Sequence, residues 1–533
     1  MSVLVPLACS DGTTNLGDGA AGANAAGSSS ASPVGGAGSE ATAGGASSTP
    51  AEADAGNGGA VLGEADGGSG GRPQVEEPGG QAGADAAGAT GSAGSGASNL
   101  AIAIAGELSS LTVSELTLTP SFSPAIHDYY VRCAAGSNAL TFQTSDDNGP
   151  HSVALSLVPD QAVVVAETYW LRCLPPDFPT ITVTRPGAPT PGYYLLNSAL
   201  YGVVLDVNGV PVWYARGQAP IGVDSPAENT ISFMRDMNLS SAFFEIHALD
   251  TGVVSQVRSP NGPTDPHELR VLPNGDFLVF TTPVQAGIDL TGLGSYNSTN
   301  TLLGCAIEEL DASGSVVWSW LASDHVDPVL ESLNQINTTV NGVPVVDAYH
   351  CNGIDVDAAG NLLVSMRHTN SAFYVERATG HVAWKLGGSE YNKDGAALVR
   401  IHNDTQTAFS LQHDARFQAN GDVTLFDDHG MGTGVARGIE YALDFEANTA
   451  TPVFQFLGSG PAMYEGSFRR YADGDSVISW GYIPSDQRVL TEVDAAGNDV
   501  FDLAFSVGNV SYRGVKVPLS QFDIDLLRRN VAH

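Results

Sequence analysis

The sequence predicts an all-β protein: a six-bladed β-propeller, preceded by a small β-sandwich-like domain and a disordered Gly/Ala/Ser-rich N-terminal linker. Three observations predict it. A composition break near residue 100 separates a stretch that cannot build a core from one that can. From Gly192 onward, two kinds of hairpin alternate along the chain. Helical periodicity is nearly absent until FDIDLLRR at the C-terminal end.

The first stretch is short. The apolar run Val3–Ala8, with a small residue just before Cys9, has the form of the tail of a bacterial lipoprotein signal. It predicts a remnant signal over residues 1–9, acylation of Cys9, and a lipid-anchored place in the bacterial cell envelope. Residues 10–98 are Gly, Ala and Ser with scattered acids, as in GGAGSEATAGGASS and GATGSAGSGAS. With almost no aromatic or β-branched residues they bury too little apolar surface to offset chain entropy, so they predict a flexible tether. No later segment is long and apolar enough to span a bilayer.

Residues 99–187 carry short β-type runs, LSSLTVSELTLTPSFSP, ALTFQTS, VALSLVP and TITVTRPG, punctuated by Pro, Gly, Asn and Asp. That pattern predicts the sandwich, with no cluster of catalytic residue types. Its cysteines, Cys133 and Cys173, can pair if the chain is exported; Cys305 and Cys351 can pair or stay as buried thiols.

Residues 190–520 hold the repeat. One hairpin type places Trp four residues after a turn glycine: DVNGVPVW (Gly209, Trp213), DASGSVVW (Gly314, Trp318) and ERATGHVAW (Gly380, Trp384). At strand period two the glycine and the Trp face one side, so each Trp is a packing residue. The other type is LPNGDFLVF, DAAGNLLVS, QANGDVTLF and YADGDSVIS. Pairing the two gives four-stranded units starting near residues 193, 231, 267, 350, 413 and 467, with insertions after Thr282, Leu321 and His429. Four-stranded repeats at this spacing predict a propeller. Residues 521–533 are a C-terminal tail.

The net charge is −36, which excludes a nucleic-acid partner or adhesion to anionic lipid as the main role. The chain has only 12 histidines, and three fall at matching points of the repeat. His267 precedes Gly275 by eight residues, His413 precedes Gly421 by eight, and His350 precedes Gly360 by ten. Each therefore opens the innermost strand of its blade, in three consecutive blades, at one mouth of the channel. Asn352 shares the face of His350, and Arg367 in SMRHTN follows on the next strand. Histidines, an amide and an arginine, with no carboxylate of matching placement, predict an anion site, with Arg as a planar fork and His as donor, base or nucleophile. His368 and His429 are possible supports, and Asp427 and Asp428 read as strand ends. Arg469 and Arg470 occupy the blade-six counterpart of the histidine positions. Asp414 reads as pointing away from His413.

These motifs carry a resemblance. HCNGIDVDAAGNLLVSMRHTNSAFYVERATGHVAWKLGG, with LQHDARFQANGDVTLFDDHG downstream and PHELRVLPNG upstream, resembles the bacterial arylsulfotransferase family. Those are exported six-bladed propellers that move a sulfuryl group from a phenolic sulfate to a phenol without the nucleotide donor PAPS. The resemblance implies His413 as nucleophile, forming a transient sulfohistidine. It implies His267, His350, Asn352 and Arg367 as the groups that hold the sulfuryl oxygens. It implies ping-pong transfer with no cofactor and no metal, with a phenolic sulfate donor and a phenol acceptor as partners. The family's disulfide near the catalytic His has no counterpart, because no cysteine follows Cys351. Two other readings of the residues stand beside it: a three-histidine metal site hydrolysing sulfate or phosphate esters, and a non-catalytic tethered binding module.

Overall fold

The computed structural model describes residues 100–531, apart from 105, 237–241, 294–300, 431–433 and 507–509. Cys9 and the linker lie outside the described residues. What is described is nearly all strand.

The first domain packs two sheets. One holds Leu100–Ile102, Ala162–Val165, Tyr169–Leu174 and Asp128–Arg132; the other holds Ser110–Val113, Asn138–Asp146 and Gly149–Leu157. Gly149–Leu157 alternates between half-buried and exposed residues, the signature of a strand with one face on a core. Leu111, Val131, Phe142, Leu157 and Leu171 fill the space between the sheets, and a Cys133–Cys173 disulfide lies among them. The TITVTRPG run does not join this sandwich. Ile181–Thr184 pairs antiparallel with Asp499–Phe505 and forms the fifth, outermost strand of the last blade. Its period-two pattern marks a strand without specifying which sheet it completes.

Six four-stranded blades follow. Blade 1 contains Tyr193–Asn197, Tyr201–Leu205 and Pro211–Arg216, with Gly514–Val517 from the far end of the chain as its inner strand. Blade 2 is Ile221–Asp224, Thr230–Met234, Phe244–Ala248 and Val253–Val257. Blade 3 is Thr264–Val271, Phe277–Thr281, Ala306–Leu310 and Val316–Leu321. Blade 4 is Cys351–Val356, Leu362–Met366, Ser371–Val375 and Val382–Gly387. Blade 5 is His413–Phe417, Val423–Asp427, Arg437–Asp444 and Thr449–Leu457. Blade 6 is Ser467–Arg470, Ser476–Ser479, Arg488–Val493 and Asp499–Phe505.

Two unit starts read from the repeat are off by one strand. The strands near residues 193 and 231 are second strands, not inner ones; the inner strands are Gly514–Val517 and Ile221–Asp224. Neither inner strand carries the hairpin motif that flagged the others. The insertions after Thr282 and Leu321 pair with each other in a separate small sheet of Val284–Gln285, Leu302–Leu303, Val343–Asp347 and Ile336–Val340. Ala397–Ile401 bridges blades 4 and 5 by parallel pairing on both sides.

The tail is docked. Asp523 caps the helix Ile524–Arg529 by accepting from the Asp525 N–H, and Leu527 is buried with Trp213 and Phe233. The Trp213 indole N–H donates to the Asn530 carbonyl at 2.7 Å, and Arg528 pairs with Asp128 of the sandwich at 2.7 Å. Trp384 is buried and stacks on Tyr374, while Trp318 is half-buried and donates to the Arg377 carbonyl.

Candidate functional site

The site is built on the inner strands of blades 3, 4 and 5. Each of these strands has a register irregularity against its neighbour: between Thr264 and Leu269, between Cys351 and Gly353, and between His413 and Arg416. A bulge turns a side chain that a regular ladder would hold against the neighbouring blade, which suits the rim of a channel. His350 lies one residue ahead of its strand in the left-handed region, φ 51°, which accounts for its longer spacing to the turn glycine.

The three histidines converge. The His267 and His350 rings are 5.2 Å apart, centre to centre, and nearly perpendicular. Both His267, at 5.5 Å, and His413, at 6.1 Å, set an edge or face against Tyr512. Tyr512 stands just ahead of the inner strand of blade 1, and its hydroxyl donates to the Asn352 carbonyl at 2.9 Å. Asn352 is fully buried; its Nδ2 donates to the Gln412 carbonyl at 2.7 Å, tying blade 4 to the residue before His413. Arg367 begins a single 3-10 turn, Arg367–Thr369, rather than lying on a strand. Its backbone N–H donates to the His350 carbonyl, and its guanidinium donates to the Met463 carbonyl at 2.9 Å and meets His368 Nε2 at 3.2 Å.

Each histidine is held at Nδ1 by a carboxylate. His267 meets Asp265 at 2.6 Å, His350 meets Asp347 at 2.7 Å, and His413 meets Asp428 at 3.1 Å. The sequence reading expected no carboxylate of matching placement, and this is corrected. The three aspartates lie two before, three before and fifteen after their histidines, so no common spacing betrays them. Asp428 is an orienting partner and not merely a strand end. A carboxylate at Nδ1 fixes the tautomer with its proton there and leaves the lone pair on Nε2. His413 is 0% exposed and its Nε2 has no hydrogen-bond partner among the described residues.

The electrostatics keep that lone pair free. Burial first, then the charges of Arg367, His267, His350 and Arg513, hold the His413 imidazole well below its usual value. Burial likewise pushes His350 down to about 4, against the opposing pull of Asp347. Burial works to raise the Asp347 carboxyl, but His368 and His350 together hold it well below the carboxylate range.

Behind this ring the channel is filled by charge pairs. Glu268 takes Arg416 at 2.5 Å and Arg513 at 3.0 Å, and Asp414 takes Arg416 at 2.6 Å, Arg469 at 2.7 Å and Arg513 at 3.1 Å. Asp414 is therefore a channel anchor. Arg469 reaches the channel, while Arg470 pairs outward with Glu440 and lies over Phe454. His429 pairs with Asp427 at 3.0 Å.

The model of the arylsulfotransferase (ASST) family matches residues 239–506, half of the chain. The chain belongs to the arylsulfotransferase family. That match takes in His267, His350, Asn352, Arg367 and His413, and stops short of Tyr512. No curated protein matches the chain. Similar solved structures include a catalytically inactive virginiamycin B lyase from Staphylococcus aureus (7% identity, 61% of this chain and 99% of that one, TM-score 0.29). They also include Sqt1 from Saccharomyces cerevisiae (8%, 68% and 79%, 0.30) and a putative 6-phosphogluconolactonase from Bacteroides fragilis (10%, 62% and 99%, 0.32).

Among the described residues, the group whose ligand atoms lie close enough to share a metal ion is Asp347, His350 and His368, within 4.8 Å of one another. It is not the three histidines of the blade rims. His368 Nε2 already faces the Arg367 guanidinium, a poor neighbour for a cation. Tyr512, Asp265 and Asp347 of this arylsulfotransferase-family chain were not legible as site residues in the sequence. Tyr512 sits in SYRGVKV, which lacks the hairpin motif.

Proposed function

We propose that this arylsulfotransferase transfers a sulfuryl group from a phenolic sulfate to a phenol, without PAPS, through a sulfohistidine at His413. The observation that carries the reading is the unpartnered, buried Nε2 of His413, with Nδ1 on Asp428 and the Arg367 guanidinium beside it. A neutral imidazole is a competent nucleophile near pH 7, and a phenolate is a fair leaving group. Nε2 attacks sulfur as the bond from sulfur to the phenolic oxygen breaks. Arg367 offers a fixed positive charge and N–H donors to the sulfuryl oxygens, in a place too dry to dilute its effect, and His267 and His350 line the same berth. Asn352 supports the same oxygens and fixes the backbone ahead of His413. A phenol acceptor then takes the group, and the electron pair returns to Nε2.

The test is nitrophenol release from p-nitrophenyl sulfate with a second phenol present and PAPS and metal absent. Release that needs both the acceptor and His413, and is lost in His413→Ala, is the expected result. No release across a panel of phenolic sulfates from folded protein would overturn the reading, and release only with added zinc would turn it toward a hydrolase. Export and a lipid anchor at Cys9 belong to the same proposal. The disulfides Cys133–Cys173 and Cys305–Cys351 support an oxidising compartment. Cys9→Ser should move the protein from the detergent phase to the aqueous phase on partitioning, and an unchanged partition would remove the anchor.

A further inference from the structure

The sulfuryl-transfer reading leaves one proton unassigned. The departing phenolic oxygen needs it, and the acceptor phenol must lose one. His413 and His350 are held neutral with their Nδ1 atoms on carboxylates, so neither has a spare proton at neutral pH. For donors whose phenolate leaves poorly, an acid that is itself neutral near pH 7 and buried beside the ring of histidines would supply it.

Blade 6 supplies one where the other blades supply histidine. Glu465 lies two residues ahead of the inner strand Ser467–Arg470, at the same mouth. It is 1% exposed, and its Oε2 has no hydrogen-bond partner among the described residues. A carboxylate buried in that way is costly, whereas the neutral acid tolerates it. The backbone on both sides is stitched to the site. The Met463 carbonyl receives the Arg367 guanidinium at 2.9 Å, and the Gly466 N–H donates to the Tyr512 carbonyl at 3.0 Å. Glu465 itself is in the left-handed region, φ 67°, a conformation that costs a non-glycine residue and is retained where the surroundings impose it. Gly481 leaves room for this turn: a Cβ there would meet the Glu465 carbonyl carbon at 2.6 Å and the Tyr464 oxygen at 2.4 Å. The charged groups facing this stretch are few. His267 of blade 3 acts on the carboxyl directly; Arg367 is engaged with the Met463 carbonyl, and the neighbours Tyr464 and Tyr482 stack on each other. Burial dominates over His267 and lifts the carboxyl to about 7.

We propose that Glu465 is the acid–base residue for the phenol oxygens of both half-reactions. The proposal rests on the sulfuryl-transfer reading. In the first half the bond between Nε2 of His413 and sulfur forms, the bond between sulfur and the donor oxygen breaks, and the Glu465 proton moves to that oxygen to give the neutral phenol. In the second half the Glu465 carboxylate takes the acceptor's hydroxyl proton, the acceptor oxygen bonds to sulfur, and the nitrogen–sulfur bond breaks. Glu465 ends protonated and His413 neutral, so atoms and charge return to the starting state.

The experiment is the leaving-group dependence of sulfohistidine formation in the full chain, wild type against Glu465→Gln. With 4-methylphenyl sulfate, whose phenolate leaves poorly, the variant should lose about 100-fold or more in the rate of the first half-reaction. With p-nitrophenyl sulfate, whose phenolate leaves unaided, it should lose far less, and the sensitivity to leaving-group basicity should steepen. Equal losses with both donors, at unchanged slope, overturn the proposal. Wild-type protein that transfers from no donor overturns the sulfuryl-transfer reading instead, and the proton's recipient with it. If Glu465→Gln does not fold, Glu465→Asp and infrared spectroscopy of wild type decide. A protonated-carboxyl stretch at pH 6 that fades by pH 8 and is displaced in Glu465→Asp supports the assignment, and its absence at pH 6 overturns it.

Discussion

At the scale of single residues, the pairing that matters most is His413 with Asp428. Both are 0% exposed, and the Nδ1 contact is 3.1 Å. Replacing Asp428 with Asn keeps the shape but can present an N–H to Nδ1. That would move the histidine's proton to Nε2 and remove the nucleophilic lone pair. Asp428→Asn should therefore lower kcat by roughly 10²–10⁴-fold, with much less change in KM and an unaltered thermal midpoint. Steady-state kinetics beside a melting curve checks this, and a loss confined to KM would count against the tautomer argument. The histidines themselves were legible because they share a position relative to a turn glycine. Their aspartates were not, since each reaches its ring by a different path: Asp265 and Asp347 from their own chain segment, Asp428 from the end of the adjacent strand. Glu465 was hidden for a related reason. The spacing of eight that worked in blades 3 and 5, counted back from Gly474, lands on Gly466, one residue past Glu465, so it meets a glycine while the acid sits just ahead of it at a left-handed turn.

At the scale of elements, alternation and turn residues made most strands readable, and they failed where a strand's partner is far away in sequence. Ile181–Thr184 and Gly514–Val517 are both ordinary strands by pattern, yet each completes a blade by pairing with a strand more than three hundred residues away. The Cys305–Cys351 disulfide is another long-range tie, closing a separation of 46 residues. It joins the start of a blade 3 strand to the residue beside His350. By loop-closure arguments its removal should cost about 2–5 kcal/mol. The Cys305→Ser, Cys351→Ser double variant should lose stability in that range. Because Cys351 leads the strand that holds Asn352, it should also lose turnover in protein that remains folded. Denaturant unfolding and activity of the same sample separate the two effects; full activity with lowered stability would confine the disulfide to a structural role.

At the scale of the whole molecule, the buried titrating groups oppose one another. His350 is held at about 4 in the folded chain, against an ordinary 6.5. On acidification between those values the unfolded chain takes up a proton that the native state refuses, so stability falls with falling pH, by about 3 kcal/mol at roughly 1.4 kcal/mol per unit. Glu465 runs the other way: raised from 4.5 to about 7, it keeps a proton that the unfolded chain has lost, so its effect is a loss of stability as pH rises through that window. Glu465→Gln should thus gain on wild type progressively from pH 4.5 to 7 and match it below. Urea midpoints measured at pH 4.5, 6 and 8 check the sign, and a constant difference would contradict it.

The charge pairs of Glu268, Asp414, Arg416 and Arg513 leave the channel stoppered just beyond the histidine ring. A propeller bored from end to end would have two doors; these buried pairs shut one of them. Whatever is spent must back out past whatever comes next. On the proposed sulfuryl transfer, donor and acceptor are thus made to queue for one berth, and a surplus of acceptor should crowd out the donor before any sulfur has been handed over.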